Sequence, residues 1–218
     1  RSTFCEGLLK AIDPVTDRLH PNYQMTGTVT GRVVCKKPNL LNIPRFKPNN
    51  PLSINIREVF IPPKGWYYVF SDLSQAEFRV WAAMSHDANL VDLFNQGLDI
   101  HNYIASIIAG ISIDAVTKQQ RDIAKGVVFG LMYGRGDDSV AEEFHIKVKD
   151  ATAIRSLFFS LCPRAVQWME EVKDFARANG WVINFFGRKR RLPDVWSEEK
   201  YIKEEALRMA INSPIQST

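Results

Sequence analysis

The sequence predicts an α+β fold. Three observations carry that prediction. Short β-branched and aromatic runs lie toward both ends of the chain, helical periodicity fills the middle, and helix-start signals are explicit. The 218 residues suit one large domain or two small subdomains, and 45% hydrophobic content is ample for a packed core.

Taken in order, residues 1–65 are rich in Pro, Asn and Gly, with strand-like pieces at Gln24–Thr30 and Ile54–Phe60. Trp66–Phe70 (WYYVF) is an aromatic and β-branched run that reads as a buried strand ending at Ser71-Asp72. From Gln75 to about Ala109 the pattern is helical, with breaks near Ser85–Asn89 and at Gly97. Thr117 followed three residues later by Gln120 is a capping box, so a further helix starts there. Helices are expected near Asp137–Phe144, Asp150–Leu161 and Arg164–Asn179, the last stopped by Gly180. The stretch 181–194 reads as a hairpin, and Glu198–Ile211 as a final helix.

The helix after Thr117 carries the strongest chemical signal, in RDIAKGVVFGLMYG, residues 121–134. Arg121, Lys125, Phe129 and Tyr133 recur every four residues. Each such step drifts only about 40° around a helix, so these side chains share one broad face about 18 Å long. Cations occupy its amino-terminal end and aromatics its carboxy-terminal end. A nucleoside triphosphate has the same polarity, phosphates at one end and a flat base at the other. The positive end of the helix dipole lies beside Arg121 and favours phosphate further. An isolated R-x-x-x-K more often marks a solvated face. Gly130 and Gly134 strengthen the functional reading, because each costs about 1 kcal/mol against Ala in a helix and implies a close neighbour.

Composition narrows the classes. Lys plus Arg number 28 against 24 Asp plus Glu, a net charge of +4 that permits a nucleic-acid partner without arguing for one. Arg188, Lys189, Arg190 and Arg191 are consecutive behind Gly187, a pattern shared by solvated turns and localisation signals. Cys5, Cys35 and Cys162 are odd in number and widely spaced, as in reduced thiols of an intracellular protein rather than a disulfide frame or zinc site. No apolar run approaches the length of a membrane span.

Asp72 stands where the aromatic run stops, in SDLSQAEFR, with Glu77 five residues later at the expected start of a helix. A carboxylate at a strand terminus can hold a divalent ion while leaving coordination sites for phosphate oxygens. A turn or capping role fits Asp72 equally, and a first-turn role favoured by the dipole fits Glu77.

Together these segments resemble the family A DNA polymerases. DLSQAEFR is similar to the family's motif A, D-Y-S-Q-I-E-L-R, and RDIAKGVVFGLMYG to motif B, R-x-x-x-K-x-x-x-F-G-x-x-Y-G. TGTVTGRVVCKKPNLLNIP resembles T-x-T-G-R-L-S-S-x-x-P-N-L-Q-N-I-P, and GLDIHNYIA the D-I-H segment. FGRKRRLPD resembles F-G-R-R-R-x-x-P-D, and ALRMAINSPIQST resembles E-R-x-A-x-N-x-P-x-Q-G-T. The motifs follow in the family's order across nearly the whole chain.

The resemblance implies a polymerase palm, an antiparallel sheet with helices, at 1–84 and 183–218, interrupted by a helical fingers subdomain at 85–182. It implies template-directed DNA synthesis by a two-metal mechanism, with primer–template DNA and deoxynucleoside triphosphates as partners. Asp72 would bind both catalytic Mg2+ ions, with the Leu73 backbone carbonyl as a further ligand. Glu77 would be the steric gate that excludes a ribose 2′-hydroxyl, and Arg121, Lys125 and His101 would hold the triphosphate. Phe129 would pack on sugar and base, with Tyr133 beside the template. Arg32, Asn39, Asn42, Arg208, Asn212 and Gln216 would contact the duplex.

Leu73 replaces the family's Tyr, Ala76 its Ile, Val34 and Cys35 its Ser pair, and Ser217 its Gly; none of these removes a metal ligand or a cation. The family's second catalytic carboxylate, in the H-D-E of motif C, lies downstream of Q-G-T, and this sequence stops at Thr218. Ser85-His86-Asp87 is not that motif, because SHDANL matches the S-G-D-E-N-L loop after motif A. The thumb and any exonuclease domain would precede Arg1. The expectation is a fragment with negligible polymerase activity by itself, completed by the C-terminal polymerase segment in the same or a second chain. Two other readings are a single-subunit RNA polymerase relative, against which Glu77 argues, and a non-catalytic nucleic-acid-binding scaffold.

Overall fold

The computed structural model describes residues 2–44, 46 and 53–218, and divides into two compact units, Arg1–Leu73 and Ser74–Thr218. The architecture is α+β, as the sequence predicts.

The first unit is mostly turns. A π-helical turn (Ser2–Glu6) runs into α1 (Gly7–Leu9). β1 (Ile12–Asp13) and β2 (Arg18–Leu19) form an antiparallel hairpin whose turn is held by Asp13, accepting from the Val15 and Thr16 amides at 2.9 and 2.8 Å. β3 (Asn22–Gln24) pairs antiparallel with β4 (Val34–Lys36), Tyr23 opposite Cys35. Cys35 is buried, its thiol donating to the Pro38 carbonyl and accepting from the Leu40 amide, both at 3.3 Å.

Several expected strands are absent here. Only Gln24 of the 24–30 stretch is in a strand, and 56–59 is a 3-10 turn. Trp66–Phe70 is unpaired, with Tyr67, Val69 and Phe70 88%, 91% and 89% exposed. The expected buried strand ending at Asp72 is therefore not formed. A strand exists through hydrogen bonds to a neighbour, and among the described residues none pairs with this run.

The second unit is helical with one hairpin. Its elements are α2 (Ala76–Ser85), α3 (Ala88–Asn95), α4 (Ile100–Ala109), α5 (Lys118–Met132), α6 (Asp137–Phe144), α7 (Val148–Leu161) and α8 (Pro163–Asn179), then β5 (Trp181–Ile183), β6 (Lys189–Arg191) and α9 (Lys200–Gln216). The helix breaks at 85–89 and 97, the stop at Gly180 and the 181–194 hairpin match expectation. α9 runs five residues beyond its expected end, through Pro214. The main core surrounds α2, whose Phe78 and Trp81 are fully buried and meet edge to face at 6.0 Å, with Ile104, Val127, Val128 and Phe158 around them. A second cluster of Val182, Leu192, Leu207 and Ala210 ties the hairpin to α9.

One buried carboxylate joins two helices, and a neighbouring amide reaches a third. Asp87, 1% exposed, caps α3 through the Leu90 amide at 3.1 Å and also accepts the Ala165 amide in the first turn of α8 at 2.9 Å. Asn89, two residues on, donates to the Leu161 carbonyl at the end of α7 at 2.9 Å. The Asp87 segment is thus a structural corner.

Candidate nucleotide-binding site

α5 starts where its capping box requires. The Gln120 amide donates to Thr117 Oγ1 at 3.3 Å, and the Thr117 amide donates to Gln120 Oε1 at 2.9 Å. The four-residue row then forms one surface. Arg121 is half-buried, Lys125 exposed with Nζ 5.9 Å from the Phe129 ring centre, and Phe129 and Tyr133 half-buried with ring centres 6.1 Å apart. Phe129 also meets Phe78 edge to face at 5.2 Å, which fixes the aromatic end against the core.

Two flanking elements present charges to this face. Glu77, in the first turn of α2, accepts a hydrogen bond from the Tyr133 hydroxyl. Asp99, the N-cap of α4, accepts from Arg121 Nη2 at 2.7 Å and Nε at 3.2 Å. Burial raises the Asp99 carboxyl, but the Arg121 guanidinium and the Asn102 and His101 amides outweigh it, leaving it below its ordinary value.

His101 lies behind the face, 1% exposed, between Phe78 and Phe129 at ring distances of 5.4 and 5.7 Å. Burial pushes its pKa down to about 4, Asp99 opposes this, and Arg121 and Lys125 push it further down. The ring is neutral at pH 7 and its Nδ1 is buried without a hydrogen-bond partner. A neutral imidazole can offer an anion only a hydrogen bond, whereas the Arg121 and Lys125 side chains would offer it positive charge.

The close approaches implied by the glycines are real. A Cβ on Gly130 would lie 3.3 Å from Val140, and Gly134 has φ +73 with Arg208 Cγ 3.3 Å from its absent Cβ position. Sequence reasoning passed over Gly126, against which the Phe144 ring packs directly.

Arg208, Asn212 and Gln216 recur on α9 at four-residue spacing, all half-buried, and the Asn212 Oδ1 is buried without a partner. Through Arg208 this row reaches the end of α5 beside Tyr133. In the first unit Arg32, Asn39 and Asn42 are exposed, with Asn39 Oδ1 accepting from the Leu41 amide at 3.1 Å. Asp72 and Leu73 are exposed at the end of that unit, on unpaired chain rather than at a strand terminus.

Within the basic run, Lys189 Nζ stands 3.7 Å over the Trp181 ring, and Arg190 donates to Ser213 Oγ at 2.6 Å. Sequence reasoning missed Arg190 as an anchor and Asp99 as the partner of Arg121. For Asp99 the signal was available: an Asp just before a helical run is an N-cap. Among the described residues no cluster of three or more His, Cys, Asp or Glu could hold a metal ion, and no helix is long and apolar enough to cross a membrane. All three cysteines are free thiols.

A cation-and-aromatic helix backed by a buried His, with an acid bonded to its last tyrosine, forms the candidate site of this α+β protein. Residues 1–218 match the model of DNA polymerase family A, and the chain belongs to that family. It is 38% identical over 217 residues to DNA polymerase I of Caldicellulosiruptor bescii, covering 100% of this chain and 25% of that polymerase. It is also 38% identical over 218 residues to the thermostable DNA polymerase I of Thermus aquaticus, 26% of whose length it covers. The chain thus spans about a quarter of these relatives. Among solved structures it resembles the POL domain of Pol1 from M. smegmatis in complex with DNA primer–template and dNTP. The TM-score is 0.85 and the identity 32%, over 97% of this chain and 37% of that one.

Proposed function

We propose that this chain is the palm-and-fingers part of a DNA-directed DNA polymerase, binding a deoxynucleoside triphosphate on α5 and contacting primer–template DNA. The palm comprises 1–84 and 183–218 and the fingers 85–182. The observation that carries this reading is the α5 face, with Arg121 and Lys125 followed by Phe129 and Tyr133, and Glu77 bonded to the tyrosine. The M. smegmatis neighbour, solved with primer–template and dNTP, supports the same partners.

Phosphoryl transfer needs alignment and charge neutralisation more than covalent help. Arg121 and Lys125 hold the phosphates as fixed cations, and the neutral His101 donates a hydrogen bond to them. Phe129 packs on the sugar and base, and Tyr133 occupies the template side of the insertion site. Glu77, tethered by the Tyr133 hydroxyl, fills the space that a ribose 2′-hydroxyl would need. Arg32, Asn39 and Asn42, with Arg208, Asn212 and Gln216, hold the duplex.

The Asp72 carboxylate and the Leu73 carbonyl are hard oxygen donors, of the kind Mg2+ prefers. Bound divalent ions would supply charge neutralisation at the transferring phosphate and align the primer 3′-oxygen.

Equilibrium binding of a deoxynucleoside triphosphate tests the face. Lys125→Ala should weaken it about ten- to hundredfold, the scale of one charge-assisted hydrogen bond; a loss below about threefold removes Lys125 from the phosphate site. In a polymerase containing this segment, Glu77→Ala should admit ribonucleotides in primer extension. Unchanged sugar discrimination removes the gate.

A further inference from the structure

We propose that Asp99 is the positioning residue for Arg121, fixing the guanidinium on the α5 face so that it meets the triphosphate already oriented. This rests on the nucleotide-binding reading of that face and names a residue that reading did not contain.

The two oxygens of Asp99 divide their work. Oδ1 accepts the His101 and Asn102 amides at 2.9 and 3.1 Å, which pins the carboxylate to the start of α4. Oδ2 accepts Nη2 and Nε of Arg121 at 2.7 and 3.2 Å. The pair is partly covered, its side chains 33% and 28% exposed for Arg121 and Asp99. α4 and α5 themselves pack through Ile104, Val127 and Val128 in the main core, so both ends of the ion pair are mounted on rigid elements.

An arginine carries five N–H donors, and Nη1 takes no part in this pairing. The Asp99 contacts therefore hold the side chain without consuming the donors that a phosphate would use. They also remove rotamer freedom that a long cation would otherwise lose on binding. The same carboxylate fixes the backbone of His101, so one group sets two residues of the phosphate end.

The sign of the effect makes the inference testable. A carboxylate beside a triphosphate repels it, so deleting that charge alone should tighten binding. A positioning carboxylate predicts the opposite.

The experiment measures dGTP binding to this chain with Mg2+ by titration calorimetry, with melting temperatures alongside. Asp99→Asn retains a capping side chain. It should weaken dGTP about three- to tenfold while leaving the melting temperature near that of the parent. In an Arg121→Gln background Asp99→Asn should add nothing, because the residue that it positions is gone. Arg121→Lys keeps the charge and loses the Nε–Nη2 contacts, so it should weaken binding like Asp99→Asn even if that variant folds poorly.

If Arg121→Gln weakens dGTP but Asp99→Asn leaves it unchanged or tighter, the positioning role is wrong and the nucleotide reading stands. If the chain binds dGTP with no dependence on Arg121, or does not bind it, the nucleotide reading fails and this inference falls with it. An equal Asp99→Asn effect in both backgrounds also refutes the inference, since the carboxylate would then act other than through Arg121.

Discussion

Asp87→Ala should be among the most destabilising single substitutions in the second unit. The side chain accepts the Leu90 and Ala165 amides at 3.1 and 2.9 Å, and both of those residues are buried. Removing the carboxylate leaves two buried donors without an acceptor, each costing about 1–3 kcal/mol. Allowing partial relaxation, the loss should be about 2–4 kcal/mol, or about 5–15 °C in melting temperature for a chain of this size. Asp87→Asn should cost roughly half as much, because its amide oxygen can still serve one donor. Urea unfolding followed by circular dichroism at 222 nm is the assay, since almost all the helix lies in this unit. A loss for Asp87→Ala below about 0.5 kcal/mol, the range of ordinary surface changes, would refute the corner as described.

The remaining predictions concern His101 and Gly180. The His101 pKa is about 4 in the folded chain against about 6.5 unfolded, so below pH 6.5 the unfolded state takes up the extra proton. Stability contributed by the neutral ring is present above that pH and lost toward pH 4, by about 2–3 kcal/mol. His101→Phe should flatten the acid limb of the unfolding free energy, and an unchanged limb would contradict the buried neutral imidazole. Gly180 ends α8 with φ +70, and a Cβ there would lie 2.9 Å from Trp196 Cζ3, while the indole is held by its Nε1 donating to the Arg177 carbonyl at 2.7 Å. Gly180→Ala should therefore cost about 2–4 kcal/mol by urea titration, combining left-handed strain with overpacking. A neutral outcome would mean that Trp196 is free to move.

The α5 face, its capping box and most of the helices of the second unit were legible in the sequence, because each depends on residues three or four apart. The strand-like composition of 66–70 correctly marked apolar side chains, yet no strand follows, since pairing depends on a partner that composition does not name. His101 was legible only through the family resemblance, as a residue that would hold a triphosphate. Its burial and neutral state were not, because they arise from Phe78 and Phe129 on other helices.

The sequence by itself determined the α+β class, the family and the order of cations and rings along α5, all of which are local patterns written in chain order. Tertiary structure alone decided that Asp87 spans 78 residues to reach Ala165, that Asp99 spans 22 to reach Arg121 and that Glu77 spans 56 to reach Tyr133. Those contacts follow from how helices pack, and a carboxylate reads the same in sequence whether it faces water or caps a distant helix.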